Sequence, residues 1–162
     1  MNGKLRNMAT VYIKKDNKML LLDRIGSKVV DRYWCGVGGH FEPGELNDAK
    51  AAVLREMNEE IGLAETDLEH LELRYIALRI VKDELRINYY FFADLKNSAE
   101  LDYDCNEGIL QWVPFEELND RKMPYTAQKV IAHYLENGMH TDDFYSVTAD
   151  DENVNVISLG IS

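Results

Sequence analysis

At 162 residues the chain has the length of one domain with its own apolar core, and 46% hydrophobic residues with 10% aromatics exclude a disordered polymer. A formal net charge of −11 and a pI of about 4.8 argue against a general DNA- or RNA-binding surface. Phosphate-rich small molecules stay within reach if a metal ion stands between them and the acidic protein.

The N-terminal stretch MNGKLRNMATVYIKK lacks the apolar core of a signal peptide, and no apolar run approaches membrane-crossing length. Cys35 and Cys105 lie far apart and in no metal-ligand spacing, which predicts two free thiols. Together these features lead us to expect a cytoplasmic protein with no membrane contact. Met8–Lys15 and Lys18–Asp23 are apolar runs around Asp16-Asn17, the pattern of strand, tight turn and strand. A loop over Arg24–Tyr33 leads to Trp34-Cys35-Gly36-Val37-Gly38-Gly39-His40-Phe41, where the glycines imply a sharp turn or a close approach. Glu42-Pro43-Gly44-Glu45 forms a second turn. Asp48–Ile61 reads as a helix with Asp48 as N-cap and Gly62 as its stop. Leu71–Val81 and Leu85–Asp94 meet across Lys82-Asp83-Glu84 as a hairpin would, and Ile109–Val113 is a strand stopped by Pro114. Thr126–Asn137 reads as a second helix closed by Gly138, and Phe144–Ser158 as a terminal hairpin around Asp150-Asp151-Glu152-Asn153. Strands mixed with two helices predict an α/β domain with its sheet between helical layers.

The first helix carries an unusual charge pattern. At 100° per residue Val53, Leu54, Met57 and Ile61 share the core-facing side, while Glu56, Glu59 and Glu60 cluster on another side beside Ala49 and Ala52, whose small side chains leave open space. Glu56 repels Glu59 at i,i+3 and Glu60 at i,i+4, by about 0.2–0.5 kcal/mol each in an exposed helix. The helix dipole disfavours acids in this C-terminal half as well. Only Arg55, four residues before Glu59, offers a counter-charge. A solvated acidic face is the plain alternative. Three converging carboxylates behind a glycine loop instead suit a hard cation such as Mg²⁺ or Mn²⁺.

Gly39-His40-Phe41-Glu42-Pro43-Gly44-Glu45, followed by Arg55-Glu56-Met57-Asn58-Glu59-Glu60-Ile61-Gly62-Leu63, resembles the signature box of the Nudix hydrolases. The family pattern is a glycine, five residues, a glutamate, seven residues, then Arg-Glu-apolar-x-Glu-Glu-x-Gly-apolar. Here nine residues, Leu46–Leu54, separate Glu45 from Arg55, two more than in that pattern. We place the extra pair at Leu46-Asn47, which keeps Asp48 at the usual distance and leaves the role of Glu45 open. Trp112-Val113-Pro114-Phe115-Glu116-Glu117-Leu118 also resembles the strand-to-helix segment of many members.

The resemblance implies a Nudix-type α/β/α sandwich with a mixed β-sheet, one domain over residues 1–162 with residues 141–162 as a C-terminal extension. It implies metal-dependent hydrolysis of a nucleoside diphosphate linked to another group. A MutT-like nucleoside triphosphate pyrophosphohydrolase, acting on oxidised purine nucleotides among others, is the preferred subclass. A nucleotide-sugar or dinucleoside-polyphosphate hydrolase and a non-catalytic nucleotide sensor are the alternatives. Glu56, Glu59 and Glu60 match the metal-binding positions, with Glu56 also the candidate base, Gly39 a carbonyl ligand and Arg55 the group that orients the glutamates. Glu107, in the polar loop Asp102–Gly108, either completes the metal site, as a loop glutamate does in some MutT-type enzymes, or is a solvated acid. Arg24 either clamps a phosphate, as a basic residue does there in MutT-type members, or is a surface arginine. Trp34 either stacks on a base or packs in the core. Asn88 is a candidate to face the pocket. Where MutT-type enzymes place a base-reading asparagine, this chain has Ala127-Gln128. His40, His70, His133 and His140 show no ligand spacing. The expected partner is a nucleotide rather than a nucleic acid polymer, with the chain a monomer or homodimer.

Overall fold

A computed structural model describes residues 2–24, 33–105 and 107–160; most of the loop expected over Arg24–Tyr33, and Asn106 in the polar loop, lie outside these. The elements run β1 (Lys4–Lys15), β2 (Lys18–Arg24), β3 (Tyr33–Cys35), β4 (Val37–His40), α1 (Ala49–Ile61), β5 (Leu68–Val81), β6 (Glu84–Leu95), β7 (Ile109–Pro114), α2 (Tyr125–Glu136), β8 (Phe144–Ala149) and β9 (Val154–Gly160). Among the described residues the strands form one mixed sheet in the order β3-β2-β1-β6-β5-β8-β9, with β4 paired to β1 and β7 to β2. β1 runs antiparallel to β2 and β4 but parallel to β6. The terminal hairpin extends the same sheet, because β8 pairs parallel with β5.

Local chemistry accounts for the turns. Asp16 and Asn17 both adopt left-handed backbone, φ 51° and 58°, as a two-residue hairpin loop requires. Asp48 caps α1 by accepting the Ala51 amide at 2.9 Å, and Gly62 ends it at φ 70°.

The strands alternate sides. Ala9, Val11, Ile13, Leu20, Leu22, Phe91 and Ala93 pack with Val53, Met57 and Ile61 of α1 in one buried cluster. Tyr12, Met19, Leu21, Tyr90 and Phe92 pack with Val130, Ile131 and Tyr134 of α2 in another. Each large apolar side chain buried this way contributes roughly 1.5–3 kcal/mol, so the central strands β1, β2 and β6 are held from both sides. This is an α/β/α sandwich. Among the described residues no helix is long and apolar enough to cross a membrane.

Two details differ from the sequence-based expectation. Ala52 belongs to the buried stripe of α1, while Leu54 is only half-buried. A methyl group at position 52 lets the helix lie close against the sheet, so little open space remains above the acids there. Gly138 does not terminate α2 by left-handed backbone. Asn137 closes that helix by donating its backbone N–H to the His133 carbonyl at 2.8 Å, and Gly138 opens the next short turn. Glycine is needed there because a Cβ would lie 2.3 Å from the Tyr75 hydroxyl.

Candidate active site

The glycine loop is a strand, β4, laid antiparallel along β1 so that Gly38 faces Thr10 and Gly39 faces Ala9. It lies between β1 and the acidic side of α1. A Cβ on Gly38 would fall 2.0 Å from the Ala9 carbonyl, and one on Gly39 would fall 2.5 Å from a Glu56 carboxylate oxygen. Gly38 therefore demands glycine for space, while a side chain at Gly39 would have to push the Glu56 carboxylate aside. The Gly38 amide donates to Glu60 at 3.2 Å. Strand and helix thus meet through Glu56 and Glu60, two of the three carboxylates that the sequence singles out.

Arg55 organises the other end of the cluster. Its Nε and Nη2 form a fork on the Glu45 carboxylate at 2.6 and 3.0 Å. Nη1 donates to Glu56 at 2.9 Å and to Glu59 at 3.1 Å, and Nη2 also donates to the His40 carbonyl at 3.0 Å. All five guanidinium N–H groups are engaged. Glu45 is held below the usual carboxylate range chiefly by its hydrogen bond from Arg55. The Pro43–Glu45 turn ends before Leu46-Asn47, and Leu46 projects into solvent.

The second carboxylate pair gathers around Arg24. Its Nη2 lies 2.6 Å from Glu107 and 3.6 Å from Glu60. The β2–β7 pairing creates this meeting, since Asp23 registers with Ile109 and Gly108 packs against the Asp23 carbonyl. The Glu60 side chain is only 7% exposed, against 58% for Glu59. Burial first, and then the Glu107 charge, push the Glu60 carboxyl up to about 7, while the Gly38 amide and Arg24 act in the opposite direction.

Arg55 thus bridges three carboxylates and Arg24 two. The donor set available to a cation is oxygen throughout, which is the chemistry Mg²⁺ and Mn²⁺ prefer. Among the described residues no three acidic, histidine or cysteine side chains already form a cage for an ion. Arg55 draws Glu56 and Glu59 to one side and Arg24 draws Glu60 and Glu107 to the other, which is how like charges relax when arginines supply the counter-charge.

Beside Gly38 a cavity of about 130 Å³ opens on the α2 side of β1 and β6, lined by Met8, Thr10, Arg24, Asn88, Tyr90 and Ala127 among others. Asn88 reaches it, as its strand position suggested. Trp34 is not among its lining residues: the ring packs against the α2-side cluster with the Arg121 guanidinium 5.2 Å from its centre. Tyr33 and Cys35, the neighbours of Trp34 on β3, line the cavity instead. Burial raises the Cys35 thiol to about 11, so it stays protonated and weakly reactive. Sequence reasoning missed Thr10 and Tyr90. Thr10 registers with Tyr90 and Met8 with Asn88 across the parallel β1–β6 pair, and the period-2 spacing of Asn88 and Tyr90 was the available signal.

The NUDIX domain family model matches residues 4–134. The fold is similar to that of a mutator MutT protein from Bacillus halodurans, with a TM-score of 0.71 and 20% identity over 93% of this chain and 97% of that one. It is also similar to a NUDIX hydrolase from Nitrosomonas europaea (TM-score 0.68, 15% identity, 92% of this chain and 81% of that one). A MutT protein from Methanosarcina mazei Go1 gives a TM-score of 0.64 at 19% identity, over 85% and 98% of the two chains. With the family matched over most of its length, the chain belongs to the Nudix family and is a pyrophosphohydrolase of phosphoric anhydride bonds.

Proposed function

We propose that the chain hydrolyses a nucleoside triphosphate to the monophosphate and pyrophosphate, with Mg²⁺ or Mn²⁺ as cofactor. The observation that carries this reading is the placement of Glu56, fixed by Arg55 and pressed against Gly39, next to a small cavity that begins at Gly38. Similarity of the fold to MutT proteins supports the same subclass. A cavity of about 130 Å³ is well below the roughly 300–1,000 Å³ that encloses a drug-sized ligand, which favours one ring system inside and the phosphates outside.

Glu56, Glu59, Glu60 and the Gly39 carbonyl would hold the metal, with Glu107 as a further ligand. Bound there, a divalent ion supplies positive charge to a diphosphate that an acidic surface would otherwise repel. The protein's own groups do the rest. Glu56 Oε1, oriented by Arg55 Nη1, takes the proton of the attacking water. Arg55 acts through the glutamates, since its five N–H groups are already engaged. Glu45 holds Arg55 by the bidentate fork, which fixes the guanidinium plane and with it the direction of the bond to Glu56. Arg24 lies between Glu60, Glu107 and the cavity, where its charge suits the outer phosphates of a bound triphosphate. Two free cysteines suit a reducing compartment such as the cytoplasm.

The test is a panel of nucleoside triphosphates, nucleotide sugars and dinucleoside polyphosphates assayed with Mg²⁺ or Mn²⁺. Triphosphates should turn over best. Inactivity on all of them, with turnover of a nucleotide sugar, would overturn the subclass while leaving the family untouched.

A further inference from the structure

Two of the side chains that line the cavity beside Gly38 each carry a buried polar atom that the protein itself leaves unpaired. Asn88 donates from Nδ2 to the Tyr90 hydroxyl at 3.1 Å, and its Oδ1 is buried with no hydrogen-bond partner. Arg24 directs Nη2 at Glu107 and Glu60, and its Nε is buried and unpartnered as well. Buried polar groups in folded proteins are nearly always satisfied, so an acceptor and a donor left open on two side chains of one cavity wall call for a reason.

The surroundings narrow that reason. Met8, Tyr12, Pro124 and Ala127 give the cavity apolar and aromatic walls. Thr10, Tyr33 and Tyr90 add hydroxyl groups to the same lining. A flat heterocycle can bury its faces against the apolar walls and bring its own donors and acceptors to the polar groups at its edge. Asn88 is held in place for such a contact, because its amide is tied to Tyr90 and Tyr90 is buried beside Tyr12 with their rings stacked at 6.1 Å.

We propose that Asn88 is a specificity-determining residue: its Oδ1 accepts a hydrogen bond from an N–H on the edge of the substrate base, while Arg24 Nε donates to an acceptor on the same ligand. This rests on the nucleotide reading above and deepens it, since it names the group by which the base is chosen. A base whose edge has lost that N–H leaves Oδ1 buried and unpaired, and sites of this kind reject such analogues strongly. Leucine at position 88 has a similar volume and no acceptor, so it removes the discrimination. Aspartate keeps an acceptor oxygen in the same place, so it retains the discrimination.

The experiment measures kcat/KM with Mg²⁺ for the triphosphate turned over best, and for analogues in which each ring or exocyclic N–H of its base is replaced in turn by N–CH₃. In the unaltered protein one replacement should lower kcat/KM at least tenfold. The same replacement should lower it less than threefold in Asn88→Leu and at least tenfold in Asn88→Asp, with circular dichroism confirming that both variants are folded. Hydrolysis with no N–H effect in the unaltered protein, or with an equal effect in Asn88→Leu, overturns the role of Asn88 and leaves the nucleotide reading standing. Should Asn88→Leu fail to fold, loss of the discrimination in Asn88→Asp overturns the role and its retention supports it. Absence of hydrolysis with every nucleotide overturns both readings together.

Discussion

The two arginines at the acidic helix face make opposite use of the same side chain. Arg55 has every N–H engaged and belongs to the helix that carries the glutamates. Arg24 comes from a strand end, meets Glu60 and Glu107 through Nη2 among the described residues, and keeps a buried Nε unpaired. Arg55 is saturated and acts as a fixed brace. Arg24 retains donor capacity, the condition for a group that meets a ligand. A counter-charge in an active site can thus be either scaffold or contact, and the hydrogen-bond inventory separates the two.

Substitutions can break or sharpen that contrast. The largest effect should come at the brace's main client. Glu56→Gln keeps shape and loses charge, and kcat should fall at least about a hundredfold, near 2.7 kcal/mol of barrier, whereas Glu107→Gln on the Arg24 side should lose less than about tenfold. Equal losses would erase the distinction between the two pairs. Next in size, Arg55→Lys cannot form the fork on Glu45 and leaves half-buried carboxylates unpaired. Its kcat should drop about ten- to a hundredfold, and stability should fall by about 1–3 kcal/mol, read as a lower melting temperature. Arg24→Ala should instead raise KM about tenfold with kcat nearly unchanged, a split that steady-state kinetics resolves directly.

The smallest effect is on stability against pH in metal-free protein. Folding raises the Glu60 carboxyl from its ordinary 4.5 to about 7, so the folded state binds the proton more tightly than the unfolded state. The stabilising contribution of the protonated form is complete below about pH 4.5 and is lost as pH rises through 7. Melting temperature should therefore decline over that window, and Glu60→Gln should flatten the decline. An unchanged pH profile in that variant would assign the effect elsewhere.

Much of this was readable in the chain because it is local. The Asp16-Asn17 turn, the Asp48 cap, the Gly62 stop and the spacing of Arg55 with its glutamates all involve residues within a few positions of one another. What escaped depends on pairing between distant strands. The parallel β1–β6 register brings Thr10 beside Tyr90, and the β2–β7 ladder brings Arg24 to Glu107; the spacing of Asn88 and Tyr90 marks their shared face but not the strand they meet. Two misread residues, Ala52 and Gly138, were set by close packing against a neighbour, Ala52 against the sheet and Gly138 against the Tyr75 hydroxyl. Glu45, whose role the spacing leaves open, meets Arg55 across ten positions, a contact that depends on how the Pro43–Glu45 turn folds back on the helix.

The central claim is that the Arg55-braced glutamates hydrolyse a triphosphate to monophosphate and pyrophosphate. Phosphorus NMR of the reaction with Mg²⁺, run side by side on the unaltered protein and Glu56→Gln, tests it most directly. We expect nucleoside monophosphate and pyrophosphate in equal amounts from the former, and less than a tenth of that rate from a variant with an unchanged circular dichroism spectrum. Release of orthophosphate with nucleoside diphosphate, or a variant retaining more than about a tenth of the rate (1.4 kcal/mol of barrier), would contradict it.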